Sequence, residues 1–416
     1  MISISLSPNI EKDDWQRAGK LIFQPWQWKK GEWLKKLKKL IAEYFQSESE
    51  RVFLLNSGRS SLLTILKSLN LPAGSQVLLQ AFTCNAAVNP ILWAGLKPVF
   101  IDINQNDFNL SLDDLKKKIS SAKNPRVLMV QHTFGLPTEM NEILSIARNH
   151  NLILIEDCAH SLGAEYQGKK IGTFGDFAFF SFGRDKIISS VYGGAVLINS
   201  KKYLDDFRRE YRKIKFPSHY WIFQQLFHPL AIKFFVWPLY CWQVGKIILV
   251  IFQKLRLLSM AVEKKERFGN KPRYFPARLP NALAELAFFQ WKKLEKFNQH
   301  RRQITKFYYQ NLKNIPKIKL PKVLPASEPS FLRYPILTKK AQSIWQLAKR
   351  KGILLGDWYW SPIIPPGTDL KKMNYQLGSC PTAEKCCREI LNLPTQINIG
   401  EKEAREIIKI IKSSNY

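Results

Sequence analysis

Lys186 is the residue of this chain whose surroundings are most typical of a chemical role. It follows an apolar run, 177–180, and Gly193-Gly194 comes shortly after it. About thirty residues upstream, a second apolar run ends in Glu156-Asp157. A lysine can form a Schiff base with an aldehyde, and an aspartate can hold the protonated nitrogen of a pyridine ring. The two residues together predict a site for pyridoxal 5'-phosphate (PLP).

The elements that must position this site alternate between strand and helix. The predicted strands are 51–55, 76–80, 97–103, 126–131, 152–157, 177–181 and 194–199, and the predicted helices are 33–45, 60–69, 86–94, 111–120 and 140–149. A further strand is expected in the Lys186 loop. The strands are nearly all apolar, as in a mostly parallel sheet covered on both faces by right-handed crossovers. Because ligands bind beyond the carboxyl ends of such strands, Ser57-Gly58, Thr83 and Asp157 are expected at one site.

The C-terminal part of the chain predicts a smaller α/β unit. Its expected elements are a helix at 283–297, a strand at 331–337, a helix at 341–350, a strand at 353–355 and a helix at 401–411. The predicted division is a large PLP-binding domain at 1–215, an apolar aromatic insertion or linker at 216–275, and a small domain at 276–416.

Seven short motifs follow one another along the chain, at 57–61, 81–83, 132–137, 156–160, 172–176, 181–186 and 193–194. In this order they resemble the DegT/DnrJ/StrS sugar aminotransferases, which are PLP enzymes of fold type I. The resemblance continues through 278–302 and 381–394, so it covers most of the chain. It implies a large α/β domain, whose mostly parallel sheet is flanked by helices, and a smaller C-terminal α/β domain.

The resemblance also implies roles for three side chains. Lys186 is expected to form the Schiff base and then to carry protons as general acid and base. Asp157 is expected to pair with the protonated ring nitrogen and so keep the cofactor an electron sink. His160 is expected near the phenolic oxygen of the ring.

The cofactor phosphate is expected where the helix after Ser57 begins, because free N–H groups and the helix dipole favour an anion there. The residues expected to bind it are Gly58, Arg59, Ser60 and Ser181. Two readings of Arg59 stay open, since the family often has threonine there. Either its guanidinium binds the phosphate, or the side chain faces away and only the backbone N–H takes part.

Two positions depart from the family pattern. Cys84 stands where the family often has an aromatic ring against the cofactor, and Pro276 stands where it often has an asparagine that reaches the partner subunit's phosphate. These departures put the affinity for the cofactor and the contact between subunits in question. Lys186 itself is retained, whereas the dehydratase branch of the family has histidine there.

The composition limits the classes of protein and partner. Hydrophobic residues make up 45% of the chain, which excludes a disordered protein. The formal net charge of +31 indicates an anionic partner, although solubility explains it equally well. Nothing resembles a nucleic-acid-binding module, so no nucleic acid is expected. Six scattered cysteines without CxxC or metal spacing, and a polar N-terminus, predict a reduced cytoplasmic protein without a metal.

The segment 220–262, called the apolar segment below, is unusual for a soluble enzyme. It is rich in aromatic residues, and its only charged residues before Lys254 are Lys233 and Lys246. Pro229 and Pro238 interrupt it, and no apolar run reaches the roughly 20 residues that span a bilayer. A re-entrant hairpin or helices lying in the membrane interface fit this pattern, with basic flanks that bind anionic lipid. A subunit interface or core packing fits it equally well.

We therefore expect a PLP-dependent aminotransferase that moves an amino group from an amino acid, with glutamate the first candidate, to a keto-sugar linked to a nucleotide diphosphate. The resemblance also implies a homodimer, because such enzymes build each site from two chains. Peripheral contact with the inner face of the membrane through 220–262 is a further expectation. Two alternatives stay open: another PLP reaction such as dehydration, and a membrane-associated or regulatory homologue without turnover.

Overall fold

The computed structural model describes residues 2–5, 7–240 and 244–415 of the protein. The strands are β1 Ile2–Ser3, β2 Val52–Leu55, β3 Gln76–Gln80, β4 Thr83–Cys84, β5 Lys97–Ile101, β6 Pro125–Gln131, β7 Ile153–Asp157, β8 Glu165–Tyr166, β9 Lys169–Lys170, β10 Phe177–Ser181, β11 Gly194–Ile198, β12 Ser327–Glu328, β13 Tyr334–Leu337, β14 Ile353–Leu354, β15 Ile363–Ile364 and β16 Ile390–Leu393. The α-helices are α1 Lys12–Ile22, α2 Glu32–Tyr44, α3 Gly58–Ser68, α4 Asn85–Trp93, α5 Leu112–Ser121, α6 Met140–Asn149, α7 Leu204–Arg212, α8 His219–Ala231, α9 Val244–Lys254, α10 Asn281–Trp291, α11 Leu294–Leu312, α12 Ala341–Arg350, α13 Pro381–Glu389 and α14 Glu401–Asn415.

A seven-stranded sheet with the order β2-β11-β10-β7-β6-β3-β5 lies at the centre of the molecule. Strands β10, β7, β6, β3 and β5 run parallel, and β11 is antiparallel to both of its neighbours. The strand residues are buried along almost their whole length because helices cover both faces. The prediction of an α/β fold with a mostly parallel sheet is confirmed.

Helix α3 shows how a local sequence pattern directs the chain at the edge of the site. Ser57 is its N-cap, and the Ser57 Oγ accepts the backbone N–H of Ser60 at 3.1 Å. Gly194 of β11 lies directly behind this turn, and a Cβ built on it would be 2.6 Å from the carbonyl carbon of Ser57. The glycine therefore lets β11 pack against the start of α3.

Two predicted elements differ in the structure. The predicted helix at 283–297 is two helices, because α10 ends at Trp291 and α11 begins at Leu294. The Lys186 loop was expected to add a strand, and that prediction is wrong: its residues form turns and bends. The Phe182 N–H donates to Gly193 O at 2.8 Å, which closes the loop where β10 ends and β11 begins.

The C-terminal unit is built around the antiparallel pair β13 and β16, with α12 and α14 packed nearby. The N-terminal strand β1 pairs with β14 of this unit, and α10 packs against α1, α2 and α8. Both ends of the chain therefore contribute to both parts of the molecule. The division at residues 215 and 275 stays a prediction.

The apolar segment contains α8, a π-helix at Ile232–Val236, and α9. One face packs on the protein through buried Trp221, Ile222 and Leu226. Trp242, one of the aromatic residues of this segment, lies outside the described residues. Within the part of the chain that the structure describes, every helix falls short of the length and apolar character needed to cross a membrane.

Candidate active site

The predicted site residues meet at the carboxyl ends of the central strands. Most of them line one cavity of about 170 Å³, namely Gly58, Arg59, Asp157, His160, Ser181 and Lys186. Ser60 is the exception: its Oγ donates to Asn56 Oδ1 at 2.5 Å, and its N–H is used by the N-cap. Thr83 and Cys84 also line the cavity.

The Lys186 loop is held by residues far away in the chain. The Asn9 side chain donates to the backbone carbonyl of Lys186, and Arg301 Nη2 donates to Asn9 Oδ1 at 3.0 Å and to Ile187 O at 3.2 Å. Arg301 is fully buried in α11, and burial lowers its pKa to about 9. These contacts position the loop from beneath, so that the Lys186 side chain extends into the cavity.

Lys186 and Asp157 are buried ionisable groups that each influence the pKa of the other. Burial lowers the pKa of Lys186 to about 8, although Asp157 and Cys84 act in the opposite direction. Burial raises the pKa of Asp157, and Lys186 partly offsets that effect. Asp157 Oδ1 accepts the Ala159 N–H at 3.0 Å, and among the described residues nothing donates to Oδ2. Lys186 therefore loses its proton more readily than an ordinary lysine, and a fraction of it is the neutral, nucleophilic amine near physiological pH.

His160 is a neutral imidazole in this environment. Burial lowers its pKa well below the usual value, and the charges of Lys186 and Arg333 lower it further. Its Nδ1 accepts the Phe134 N–H at 3.3 Å, which leaves the proton on Nε2. The ring stacks on Trp358 with centroids 5.2 Å apart and an interplanar angle of 15°. His160 can therefore donate a hydrogen bond from a fixed orientation.

The start of α3 offers backbone donors at one end of the cavity. Among the described residues, none accepts a hydrogen bond from the N–H of Gly58 or Arg59. A Cβ on Gly58 would lie 3.3 Å from Ser181 Cβ, so glycine brings this turn close to the hydroxyl of Ser181. Two free N–H groups and one hydroxyl thus converge where the helix dipole favours an anion.

The guanidinium of Arg59 forms an ion pair with Glu266. Its Nη1 donates to both carboxylate oxygens of Glu266, at 2.7 and 2.5 Å, and its Nη2 donates to Ala261 O at 2.7 Å. Burial would lower the pKa of Arg59, but Glu266 outweighs this and raises it. Of the two readings of Arg59, the geometry favours the one in which only its backbone N–H faces the cavity end.

Residues 258–268, called the strap below, form the outer wall of the cavity. Ala261 and Val262 line it directly. Arg184 Nη2 donates to Ser259 Oγ at 2.6 Å, and the Tyr192 hydroxyl donates to Met260 O at 2.6 Å. The strap is the C-terminal end of the apolar segment and the turn that follows it, so this segment contributes to the site.

Several lining residues were missed at the level of sequence. They are Gln131, Arg184, Tyr192, Ala261, Val262, Trp358 and Tyr359. Trp358 and Tyr359 belong to the aromatic run 358–360, and such a run in the sequence could have indicated a binding surface. Arg333, inside the apolar run 331–337, was a second unused signal, since a lone charge in a buried strand needs an explanation.

A buried cluster of His132, Glu156 and Cys158 lies below the cavity, with their ligand atoms within 4.8 Å of one another. The Glu156 carboxylate accepts three backbone N–H groups, from Gly172, Phe174 and Gly175, at 2.7 to 2.8 Å. Its oxygens are therefore used to anchor the loop after β9, which is a structural task.

A family model for the DegT/DnrJ/EryC1/StrS aminotransferases matches residues 8–412. The chain belongs to this family. The match includes every residue of the candidate site and thus confirms the resemblance that the ordered motifs indicated.

The similar proteins agree with this assignment. The chain is 31% identical to the GDP-perosamine synthase of Escherichia coli O157:H7 over 48% of its own length and 53% of that enzyme, so it spans about half of that relative. It is 27% identical to the dTDP-4-dehydro-2,3,6-trideoxy-D-glucose 4-aminotransferase of Saccharopolyspora spinosa, over 88% of this chain and 85% of that one. Among solved structures, Helicobacter pylori PseC, an aminotransferase involved in the biosynthesis of pseudoaminic acid, superposes with a TM-score of 0.74 at 20% identity, over 99% and 98% of the two chains.

Proposed function

We propose that the protein is a PLP-dependent aminotransferase that transfers an amino group from an amino acid to a keto-sugar linked to a nucleotide diphosphate. The observation that carries the proposal is the convergence of Lys186, Asp157 and His160 on one cavity. Membership of the aminotransferase family supports it.

The residues of the cavity fit PLP in their chemistry. A neutral amine is available at Lys186, an acceptor oxygen at Asp157 Oδ2, and anion donors at the start of α3. Asp157 is buried, so a free carboxylate oxygen there is unfavourable until a cation faces it. A protonated pyridine nitrogen would supply that cation, and a phosphate would use the N–H groups of Gly58 and Arg59 together with Ser181.

When bound, PLP supplies an aldehyde that condenses with amines and a ring that takes up the electron pair left when a proton departs from carbon. Lys186 would hold the cofactor at rest and would then remove and return the proton at the substrate carbon. Asp157 would hold the proton on the ring nitrogen, and His160 would donate a hydrogen bond from Nε2 to the phenolic oxygen of the ring. Trp358, Tyr359 and the strap exclude water from the cavity, which strengthens these interactions.

The acceptor is proposed from the relatives and from charge. Two relatives are named for work on GDP-linked and dTDP-linked sugars. The chain carries 64 lysine and arginine residues against 33 acids, which suits a diphosphate. The amino donor is proposed to be glutamate.

Borohydride reduction tests the central assignment. In the wild-type protein it should fix PLP covalently on Lys186, as located by peptide mapping, and Lys186→Ala should bind PLP without a covalent bond and lose transamination. Lys385→Ala, a surface change, is the control. Label on a different lysine, or a wild-type protein that binds no PLP, would refute the proposal and favour a homologue without turnover.

A homodimer is proposed as the working form. Pro276 lines an open groove of about 930 Å³ with Trp221 and Tyr274, where a partner chain has room to pack. The position of Pro276 removes the donor that the family often places there. Sedimentation of the active enzyme at low concentration tests this, and an active monomer would contradict it.

Peripheral binding to anionic membrane is proposed for the apolar segment. Ile247, Val250 and Ile251 of α9 are 45 to 58% exposed, and Phe234 and Phe235 of the π-helix are similarly exposed. Exposed Phe23 and Trp26 follow α1, which packs against α8. Exposed apolar side chains on a strongly basic protein provide the two attractions, burial and charge, that give stable peripheral binding.

A further inference from the structure

Arg333 is a buried cation without a counter-charge. It precedes β13 and is 3% exposed. Among the described residues, none accepts a hydrogen bond from its guanidinium or lies within ion-pair distance of it. Asp185 and Asp357 act on it only from farther away. An unpaired buried charge is unfavourable, and a ligand of opposite charge would compensate it.

The guanidinium lies beside the catalytic lysine of the proposed reaction. Arg333 Cζ is 3.4 Å from the centroid of the Trp358 ring, and Lys186 Nζ is 5.1 Å from the same centroid. The two atoms are therefore no farther apart than about 8.5 Å, the sum of these distances. The Trp358 ring packs against the guanidinium at cation–π distance and uses none of its hydrogen-bond donors.

This spacing suits one part of an amino acid. Two covalent bonds separate the amino nitrogen from the carboxylate carbon, about 2.5 Å in all. A two-pronged arginine–carboxylate contact adds roughly 4 Å between the two carbons. The total of about 6.5 Å falls within this limit of about 8.5 Å, so an amino acid whose nitrogen takes the place of Lys186 Nζ can bring its α-carboxylate to Arg333.

We propose that Arg333 binds the α-carboxylate of the amino donor, an inference that rests on the proposed aminotransferase function. Arg333 comes from the C-terminal unit, and His160 and Lys186 come from the large sheet. The donor would therefore be held between the two parts of the molecule, with Trp358 as the shared wall.

The experiment compares the wild-type holoenzyme with Arg333→Gln, Arg333→Lys and the exposed control Arg350→Gln of α12. Spectral titration of the half-reaction should give an apparent Kd for L-glutamate about 100-fold higher in Arg333→Gln and about 10-fold higher in Arg333→Lys. The KM for the keto-sugar and the visible absorbance of lysine-bound cofactor should stay unchanged. Calorimetry with 2-oxoglutarate on the PLP-loaded protein, which has no amino group to transfer to it, should show the same loss of affinity without turnover.

A second arm separates the two carboxylates of glutamate. 4-Aminobutyrate keeps the distal carboxylate and lacks the α-carboxylate, so the preference of the wild-type enzyme for glutamate should collapse in Arg333→Gln. An unchanged preference, or a rise in the keto-sugar KM in place of the donor Kd, would overturn the inference. If Arg333→Gln does not fold, an Arg333→Lys variant with wild-type donor affinity would overturn it as well. A wild-type protein whose spectrum responds to no amino acid would refute the proposed function itself.

Discussion

Replacing Glu266 with glutamine should destabilise the protein by about 3 kcal/mol, because it breaks a buried ion pair from one side. Glu266 is fully buried and Arg59 is 9% exposed, and the two carboxylate oxygens lie 2.7 and 2.5 Å from Arg59 Nη1. Removing one partner of such a pair costs about 3–5 kcal/mol, since the other charge stays buried. The lower end applies here because glutamine keeps one acceptor oxygen for Arg59.

The double replacement Arg59→Met with Glu266→Met should cost less than the sum of the two single changes by about 2 kcal/mol, because apolar side chains leave no charge behind. The assay is urea unfolding of cofactor-free protein at pH 7 for the wild type, Glu266→Gln, the single changes Arg59→Met and Glu266→Met, and the double. Glu263→Gln, at the N-cap of the 3₁₀ helix Lys264–Phe268 that contains Glu266, is the matched control. Its pair with Lys265 is partly exposed, at 3.4 Å, so its loss should cost less than about 1 kcal/mol. A Glu266→Gln variant within about 1 kcal/mol of wild type, or strictly additive singles, would show that the strap is held by something else.

Three further predictions concern the site and the surface. Asp157→Asn should lower kcat by roughly 10²- to 10⁴-fold with PLP still bound, because an amide cannot hold the proton on the pyridine nitrogen. Near-normal turnover of this variant would mean that Asp157 has only a structural role. Burial lowers the pKa of Lys186 to about 8, and only the neutral amine reacts with trinitrobenzenesulfonate. Labelling of Lys186 in cofactor-free protein should therefore rise steeply from pH 7 to 9. A labelling midpoint above pH 10 would contradict the lowered pKa. The protein should bind anionic vesicles at low salt, and Ile247→Glu with Val250→Glu should abolish this binding. Leu377→Glu, at an apolar position elsewhere that is exposed at least as much, should not abolish it. A wild-type protein that does not bind such vesicles would favour a subunit interface for the apolar segment.

The amino-acid sequence by itself determined the central fold and the residues that could carry the chemistry. Apolar runs and turn residues are local features, and the strands at 76–80 and 177–181 appear in the structure with the predicted bounds. The positions of Asp157 and Lys186 after such runs placed both at the carboxyl edge of the sheet. The Lys186 loop was misjudged because it is stabilised by Asn9 and Arg301, which no local pattern reveals.

Only the tertiary structure decided which distant side chains meet. Arg59 and Glu266 are separated by 207 residues and nevertheless form a buried ion pair. The guanidinium of Arg59 is therefore not directed at the phosphate end of the cavity, where the sequence had allowed it. Arg333 and Trp358 come to Lys186 from the C-terminal unit in the same way. The physical reason is that a side chain's type and local conformation are set by its neighbours in the chain, whereas its partner, burial and pKa are set by the packing of whole elements.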